Sequence, residues 1–211
     1  MPADAPRYQP AGQDGARFKA LRQVSAALGR QSCPLALSHV QPHAHATARI
    51  ARYLVERCCR NNCGPSFEEV EAGAFLHDVG KYLIDYAVLL KPGAFDDAER
   101  SAMSRHPVLG TAVVVTHPDA TEAIRRTVLY HHEWWDGGGY PEGIAGPAIP
   151  VEARVVAVAD VYTSLRARRP YKASLPKGEA LDCLAGMAGR QLDPSLVEDF
   201  LSMFRGDVIR F

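Results

Sequence analysis

The chain has 211 residues, enough for one hydrophobic core and a closer fit to one domain than to two. Hydrophobic residues make up 47% and charged residues 23%, an ordinary globular balance that argues against global disorder. Lys+Arg and Asp+Glu both number 24, so the formal net charge is zero; the basic excess of a general nucleic-acid binder is missing, and no DNA or RNA partner is expected.

Residues 1–16 hold three Pro, two Gly and few large apolar side chains, and are expected to form a disordered tail. They contain no apolar h-region of a secretory signal. No later apolar run approaches the ~20 residues of a membrane helix, so no membrane partner and a cytoplasmic location are expected. The five cysteines, Cys33, Cys58, Cys59, Cys63 and Cys183, are odd in number and three are crowded together, which favours a reducing compartment over a disulfide framework. Cys58, Cys59 and Cys63 can be read as soft-metal ligands, but no fourth ligand stands at a zinc-like interval, and small apolar residues at a helix end are the better reading.

The spacing of Phe18, Leu21, Val24 and Leu28 predicts a helix with Gly29 as its stop signal. An N-terminal helical segment is thus expected over 17–38, ahead of a main domain over 39–211. Pro42 suits the first turn of a second helix continuing through Ile50, Leu54 and Val55 to about Cys58. The stretch NNCGPS is a loop signal, and Ser66 with Glu69 forms a capping box for a helix from Phe67 to about Asp78. Helical patterns follow at about 83–90, 96–105, 107–116, 119–132, 151–166, 177–188 and 194–204. VEARVVAVADVY also fits a buried strand, but strand partners are scarce, so helix is expected there. The long segment from Asp136 to Pro150 holds five Gly and three Pro, which force turns in a loop long enough to be functional or disordered. The expected fold is all-α, a single helical bundle carrying this Gly/Pro-rich loop.

Among the eight histidines the adjacent pairs His77-Asp78 and His131-His132 are the informative ones. A neutral imidazole binds a transition metal through one ring nitrogen, and a carboxylate has two oxygens that can bridge two metals. The apolar run Ala72, Ala74, Phe75, Leu76 brings Asp78 beside the core, where its charge is costly unless a metal offsets it. On this motif alone, a solvated Asp ahead of a Gly80 stop remains the competing reading.

HDVGK (His77, Asp78, Gly80, Lys81) resembles the signature of the HD superfamily of metal-dependent phosphohydrolases. LLKPG at 89–93, RHPVLG at 105–110 and HHEWWDGGGYPEGIAG at 131–146 narrow the resemblance to the HD-GYP family. IPVEARVVAVADVY and RRPYK are similar to that family's ending. The likeness runs from about His39 to about Phe200. It implies an all-helical HD-superfamily fold with two or three divalent metals, iron or manganese favoured. The implied activity is hydrolysis of cyclic di-GMP to linear pGpG, with GMP as a further product, by a metal-activated hydroxide. The implied metal ligands are His77, Asp78, His106, His131, His132 and Asp160, with Asp78 bridging. Lys81 is implied to contact the scissile phosphate and, with Asp78, to carry the catalysis. Arg169 and Lys172, from the RPYK motif, are implied to bind substrate phosphate. Gly139, Tyr140 and Pro141 are the family's hallmark loop; Tyr140 either shapes the base pocket or packs the loop.

For the family's first histidine, His39, His43 and His45 compete. In the family this residue precedes a helix with buried positions four, seven, eight, eleven and twelve residues on. From His43 these are Thr47, Ile50, Ala51, Leu54 and Val55, largely an apolar stripe; from His45 they include Arg49, Arg52 and Arg57. His43 is therefore the expected ligand and His45 a surface residue. His39 stands four residues earlier, where members with a third metal carry Glu, and is the candidate ligand for a third metal. With Pro42 opening the helix, His39 would lie outside it, and two metals are favoured. His117 is given no role.

Two metals at roughly 3.5–4 Å are the standard device for in-line phosphodiester displacement. Mixed His and carboxylate ligands suit iron or manganese better than a thiolate site would. Two departures from the family stand out: Thr163, where many relatives have Asp, is expected to matter little, and Trp134 replaces a polar residue. Most relatives append the domain to a sensor. Here 38 residues precede His39, and control by expression level or by a partner is expected instead. Besides a cyclic di-GMP phosphodiesterase, two readings stand: a phosphohydrolase of another cyclic dinucleotide such as cyclic GMP-AMP, and a non-catalytic module that binds diguanylate cyclase-type proteins. A homodimer is a further candidate assembly.

Overall fold

The computed structural model describes residues 18–32, 34–58, 64–167 and 174–205. Among them the chain forms ten α-helices and no β-strand: α1 (Lys19–Ser32), α2 (Pro34–Cys58), α3 (Phe67–Leu76), α4 (Tyr86–Leu89), α5 (Asp97–Met103), α6 (His106–Val114), α7 (Glu122–Tyr130), α8 (Val151–Arg166), α9 (Lys177–Ala185) and α10 (Pro194–Arg205). Short 3-10 helices occupy Val79–Leu83 and Gly146–Ala148. The all-α expectation holds. The tail at 1–16 and the residues Cys33, Cys59 and Cys63 lie outside the described residues.

At the centre is α8, the run that periodicity left between helix and strand. Ala153, Val155, Val156, Ala157, Val158 and Ala159 are all buried. A helix apolar on nearly every face belongs inside, and these small side chains let neighbours approach closely. Packed against α8 are α2, α3, α7, α9 and α10. The second inner helix, α3, is buried from Val70 to Leu76 and starts at the expected capping box: Ser66 Oγ accepts from Glu69 N at 3.2 Å, and Glu69 Oε2 accepts from Ser66 N at 2.9 Å. At the far end Tyr162 of α8 meets Phe200 and Phe204 of α10, with ring centroids 5.0 and 5.6 Å away.

Two expected boundaries move. Gly29 does not stop α1; the helix runs on to Ser32 with Gly29 buried. Nor does Pro42 open α2, which begins at Pro34 and carries Pro42 in its interior, passing through residues 38 and 39. In both cases tertiary packing outranks local propensity: α1 and α2 pack against each other and against α3, and Pro42 is exposed, where a missing backbone N–H is least costly. A carboxylate joins the three helices. Buried Glu71 of α3 accepts from Arg52 of α2 at 2.9 Å and from Arg22 of α1 at 3.3 Å. The helix expected from 83 is shorter, because residues 79–83 form the 3-10 helix instead, and the one expected over 119–132 is capped by Thr121 and ends at Tyr130.

Gly80 sets how close the 3-10 helix comes to α6. A Cβ there would lie 2.0 Å from the His106 carbonyl oxygen and 2.5 Å from Gly110 N, both backbone atoms that cannot swing aside. Gly80→Ala is expected to cost about 1–3 kcal/mol of stability by overpacking, measured by urea unfolding; an unchanged midpoint would contradict this close packing.

Candidate metal centre

Six ends or faces of the bundle converge at one place. The middle of α2 brings His43, the end of α3 brings His77 and Asp78, and the 3-10 helix after it brings Lys81. The first turn of α6 brings His106, the end of α7 brings His131 and His132, and α8 brings Asp160. Ligand atoms of Asp78, His106, His131 and His132 lie within 4.8 Å of one another, and so do those of His43, His77 and Asp160. These clusters can each hold a metal ion.

Asp78 joins the two. Its Oδ1 faces His106 Nε2 at 3.3 Å, and its Oδ2 faces His77 Nε2 at 3.3 Å, His43 Nε2 at 3.9 Å and Lys81 Nζ at 2.6 Å. Asp160 Oδ1 lies 2.8 Å from His43 Nε2 and 3.8 Å from His77 Nε2.

The imidazoles are aimed by their own helix ends. Nδ1 of His77 meets the Ala74 carbonyl at 2.6 Å, that of His106 meets Met103 at 2.8 Å, and that of His131 meets Val128 at 3.0 Å. A carbonyl only accepts, so each Nδ1 carries a proton, and each Nε2 of a neutral ring turns a lone pair inward. Two consequences test whether these residues fit a metal. The Nε2 atoms of His106 and His131 are 3.2 Å apart, two acceptors facing each other with no proton to share. His77 Nε2 and Asp78 Oδ1 are buried without a hydrogen-bond partner. Inward lone pairs and bare carboxylate oxygens are the donor set of a hard or borderline cation, and a cation removes both mismatches.

Electrostatics agree with that fit. Burial pushes the imidazoles of His106, His131 and His132 down, His132 to about 3, so all three stay neutral and ready to ligate. Burial pushes the Asp78 and Asp160 carboxyls up, but this is overcome by the charges of His77 and Lys81 at Asp78, and by His43 and His77 at Asp160. Both end well below the usual carboxylate range. His77 ends raised: burial lowers it, and the neighbouring carboxylates more than reverse this.

Of the three competing histidines, His43 is in the site. His45 is exposed and sits edge-on to Phe75, centroids 4.8 Å apart, away from the cluster. His39 falls one turn ahead of His43 on α2, inside the helix rather than before it; its side chain lies outside the described residues, as do Arg169 and Lys172. Tyr140 stacks on His132, centroids 4.9 Å apart and planes 29° off parallel. Burial and the nearby carboxylates of Asp78 and Asp160 push its hydroxyl far up, so it stays protonated. Gly139 touches the backbone of residues 132–134, where a Cβ would meet Trp134 N at 2.2 Å, and Pro141 is exposed. His117 accepts from Asp119 N in a turn. Cys58 donates its thiol to the Leu54 carbonyl at 2.9 Å, the helix-end reading. Thr163 is buried and bonds Thr47 Oγ1 of α2 at 2.9 Å. Glu133 had no expected role, yet it is buried beside the site with an oxygen on the loop backbone. Its signal was an acid directly after a histidine pair and before two tryptophans.

The HD domain family matches residues 32–196. A cyclic di-GMP phosphodiesterase response regulator of Xanthomonas campestris, RpfG, is 44% identical over 142 residues, 65% of this chain and 38% of that protein. The 3'3'-cGAMP-specific phosphodiesterase 2 of Vibrio cholerae is 36% identical over 124 residues, 58% of this chain and 24% of that protein. The chain thus spans less than two fifths of either relative's length. Among solved structures, Bd1817, an HDG"Y"P protein from Bdellovibrio bacteriovorus, superposes with a TM-score of 0.65 at 17% identity, covering 92% of this chain and 70% of that one. At that identity the likeness concerns the fold. No described helix is long and apolar enough to cross a membrane.

The imidazole shifts give a pH dependence. Below about 6.5 the unfolded chain protonates its histidines, whereas folded His106, His131 and His132 refuse the proton. The unfolded state then binds more protons, and stability falls. His45 is lowered as well, and His77 works the other way, one group against four. The Tm of the metal-free protein is expected to fall between about pH 7 and about pH 5; a flat or rising Tm would overturn the assignment.

Proposed function

Because the chain belongs to the HD domain family, we propose that it is a metal-dependent phosphodiesterase that hydrolyses cyclic di-GMP to linear pGpG. The observation that carries this is Asp78, buried between two ligand clusters with one oxygen turned to each. This supports a pair of divalent ions with Asp78 as the shared ligand. His106, His131 and His132 would hold one ion; His43, His77 and Asp160 would hold the other. All-nitrogen-and-oxygen ligation favours iron or manganese. Such a pair, when bound, would supply a nucleophile at neutral pH and offset charge on the phosphoryl oxygens.

The chain's own groups do the rest. Lys81 Nζ, 2.6 Å from Asp78 Oδ2, sits on a flexible stem that can reach a phosphate oxygen. Asp78 and Asp160 orient His77 and His43. Tyr140, a neutral hydroxyl on a ring stacked over His132, closes one wall and keeps water from that side of the ligand cluster. Arg169 and Lys172 are proposed to hold the substrate's outer phosphate charge by the family resemblance alone.

A second substrate is favoured by the likeness to a cyclic GMP-AMP phosphodiesterase. The complete ligand set supports turnover over a purely binding role. The test uses protein purified without oxygen: metal per chain is counted, and cyclic di-GMP and 3'3'-cyclic GMP-AMP are followed by chromatography. Two or more ions per chain and conversion to pGpG are expected, with His77→Ala at least about 100-fold slower. Turnover of cyclic GMP-AMP alone would replace the substrate. Absence of metal and turnover after reconstitution would overturn the enzyme and leave the binding of diguanylate cyclase-type proteins.

A further inference from the structure

The segment from Tyr140 to Gly143 forms a strap beside the candidate metal centre, with the Tyr140 ring on His132, and its shape is imposed from beneath. Ahead of Tyr140, the ties are local: Gly137 N donates to the Trp134 carbonyl at 2.9 Å, Gly138 N donates to Asp136 Oδ1 at 2.8 Å, and Tyr140 N donates to the His132 carbonyl at 3.1 Å. Past Pro141 the tie is a side chain. Glu133 Oε1 accepts from Glu142 N at 2.7 Å and from Gly143 N at 3.1 Å. The dipeptide Tyr140-Pro141 is thus pinned on both sides by adjacent residues, His132 in front and Glu133 behind.

Glu133 is 3% exposed, and its Oε2 is buried without a hydrogen-bond partner. Leaving a carboxylate oxygen bare in the interior is costly. Simple filling of space would be served by an apolar side chain, so what the carboxylate contributes is acceptance of the two strap amides. Gly143 has φ +69°, a backbone that L side chains rarely adopt, and it presents its N–H to the same oxygen as Glu142. The strap in turn carries the ring that stacks on His132. Glu142's own carboxylate points elsewhere, to the Tyr130 hydroxyl at 3.3 Å.

We infer that Glu133 is a positioning residue for the phosphodiester reaction: its carboxylate clamps the strap so that Tyr140 is held over His132, and it acts on substrate only through that ring. The inference rests on the phosphodiesterase reading, but the clamp itself is tested without activity. A strap contributes equally to bound substrate and transition state, so its loss falls on KM.

The experiment compares Glu133→Ala, Glu133→Gln, Tyr140→Ala and the double variant Glu133→Ala/Tyr140→Ala in the metal-loaded protein. Amide hydrogen exchange at Glu142 and Gly143 is expected to rise about tenfold in the Ala variant and to stay near wild type in Gln, whose amide oxygen accepts the same two bonds. Metal content is expected to be unchanged. KM for cyclic di-GMP is expected to rise about tenfold, with kcat within about threefold, and Gln is expected to restore it. The double variant is expected to be no worse than Tyr140→Ala alone. Retained amide protection in the Ala variant, loss of metal with it, or additive losses in the double variant would each overturn the inference. Should the Ala variant not fold, Glu133→Asp keeps the charge but withdraws the oxygens by about 1.5 Å. It is then expected to raise exchange at the same two amides, and protection there would overturn the clamp. If wild type turns over no cyclic dinucleotide, the function falls, while the exchange data still decide whether Glu133 holds the strap.

Discussion

A carboxylate at 2% exposure, facing three imidazoles and an ammonium, is the constraint around which this bundle is built. Asp78 cannot be solvated, and its oxygens point in different directions, one to His106 and one to His77 and His43. Keeping such a group ionised in the interior requires positive charge on both sides of it. Lys81 supplies part of that on one side. On the other side His106, His131 and His132 are neutral, so they bring lone pairs rather than charge. A cation fits this geometry, and the mutual approach of His106 and His131 through their acceptor nitrogens supports the same reading independently.

The rest of the fold serves that placement. His77 and His131, at the ends of α3 and α7, and His106, in the first turn of α6, are each hydrogen-bonded to a carbonyl three residues back, so chain geometry sets much of their orientation. What neighbours supply is distance. Gly80 lets the 3-10 helix lie on the α6 backbone, which brings His106 within 3.3 Å of Asp78. The Glu71 carboxylate ties α1, α2 and α3, and the Thr47–Thr163 hydroxyl pair ties α2 to α8 one turn along from the His43–Asp160 contact. The contact of Thr163 with Thr47 satisfies both hydroxyls in the core.

Much of this was legible in sequence where side-chain chemistry and local rules act together. The Ser66 capping box, the helical reading of 151–166 and the choice of His43 over His45 all rest on periodicity or on a short-range hydrogen bond. The pairs His77-Asp78 and His131-His132 announced the cluster because adjacent ligands cannot be explained by one buried face. What was illegible depends on packing between distant segments. Gly29 and Pro42 look like punctuation, yet both sit inside helices because α1 and α2 are held by α3. Glu133 gave only the weak signal of an acid beside aromatic residues, since its partners are main-chain amides nine and ten residues away.

The loop and the candidate ligand cluster are therefore joined at the end of α7. His132 takes part in the ligand cluster through its ring, stacks under Tyr140 with the same ring, and receives the Tyr140 amide on its carbonyl. Its neighbour Glu133 receives the next amides of the strap. A rotation at the end of α7 that displaced the imidazole would displace its carbonyl and the Glu133 carboxylate too. Conversely, the Tyr140 ring lies along the His132 imidazole, so the loop meets the cluster at that one residue. Two consecutive residues at one helix end thus join the cluster to the loop, His132 through its ring and carbonyl and Glu133 through its carboxylate.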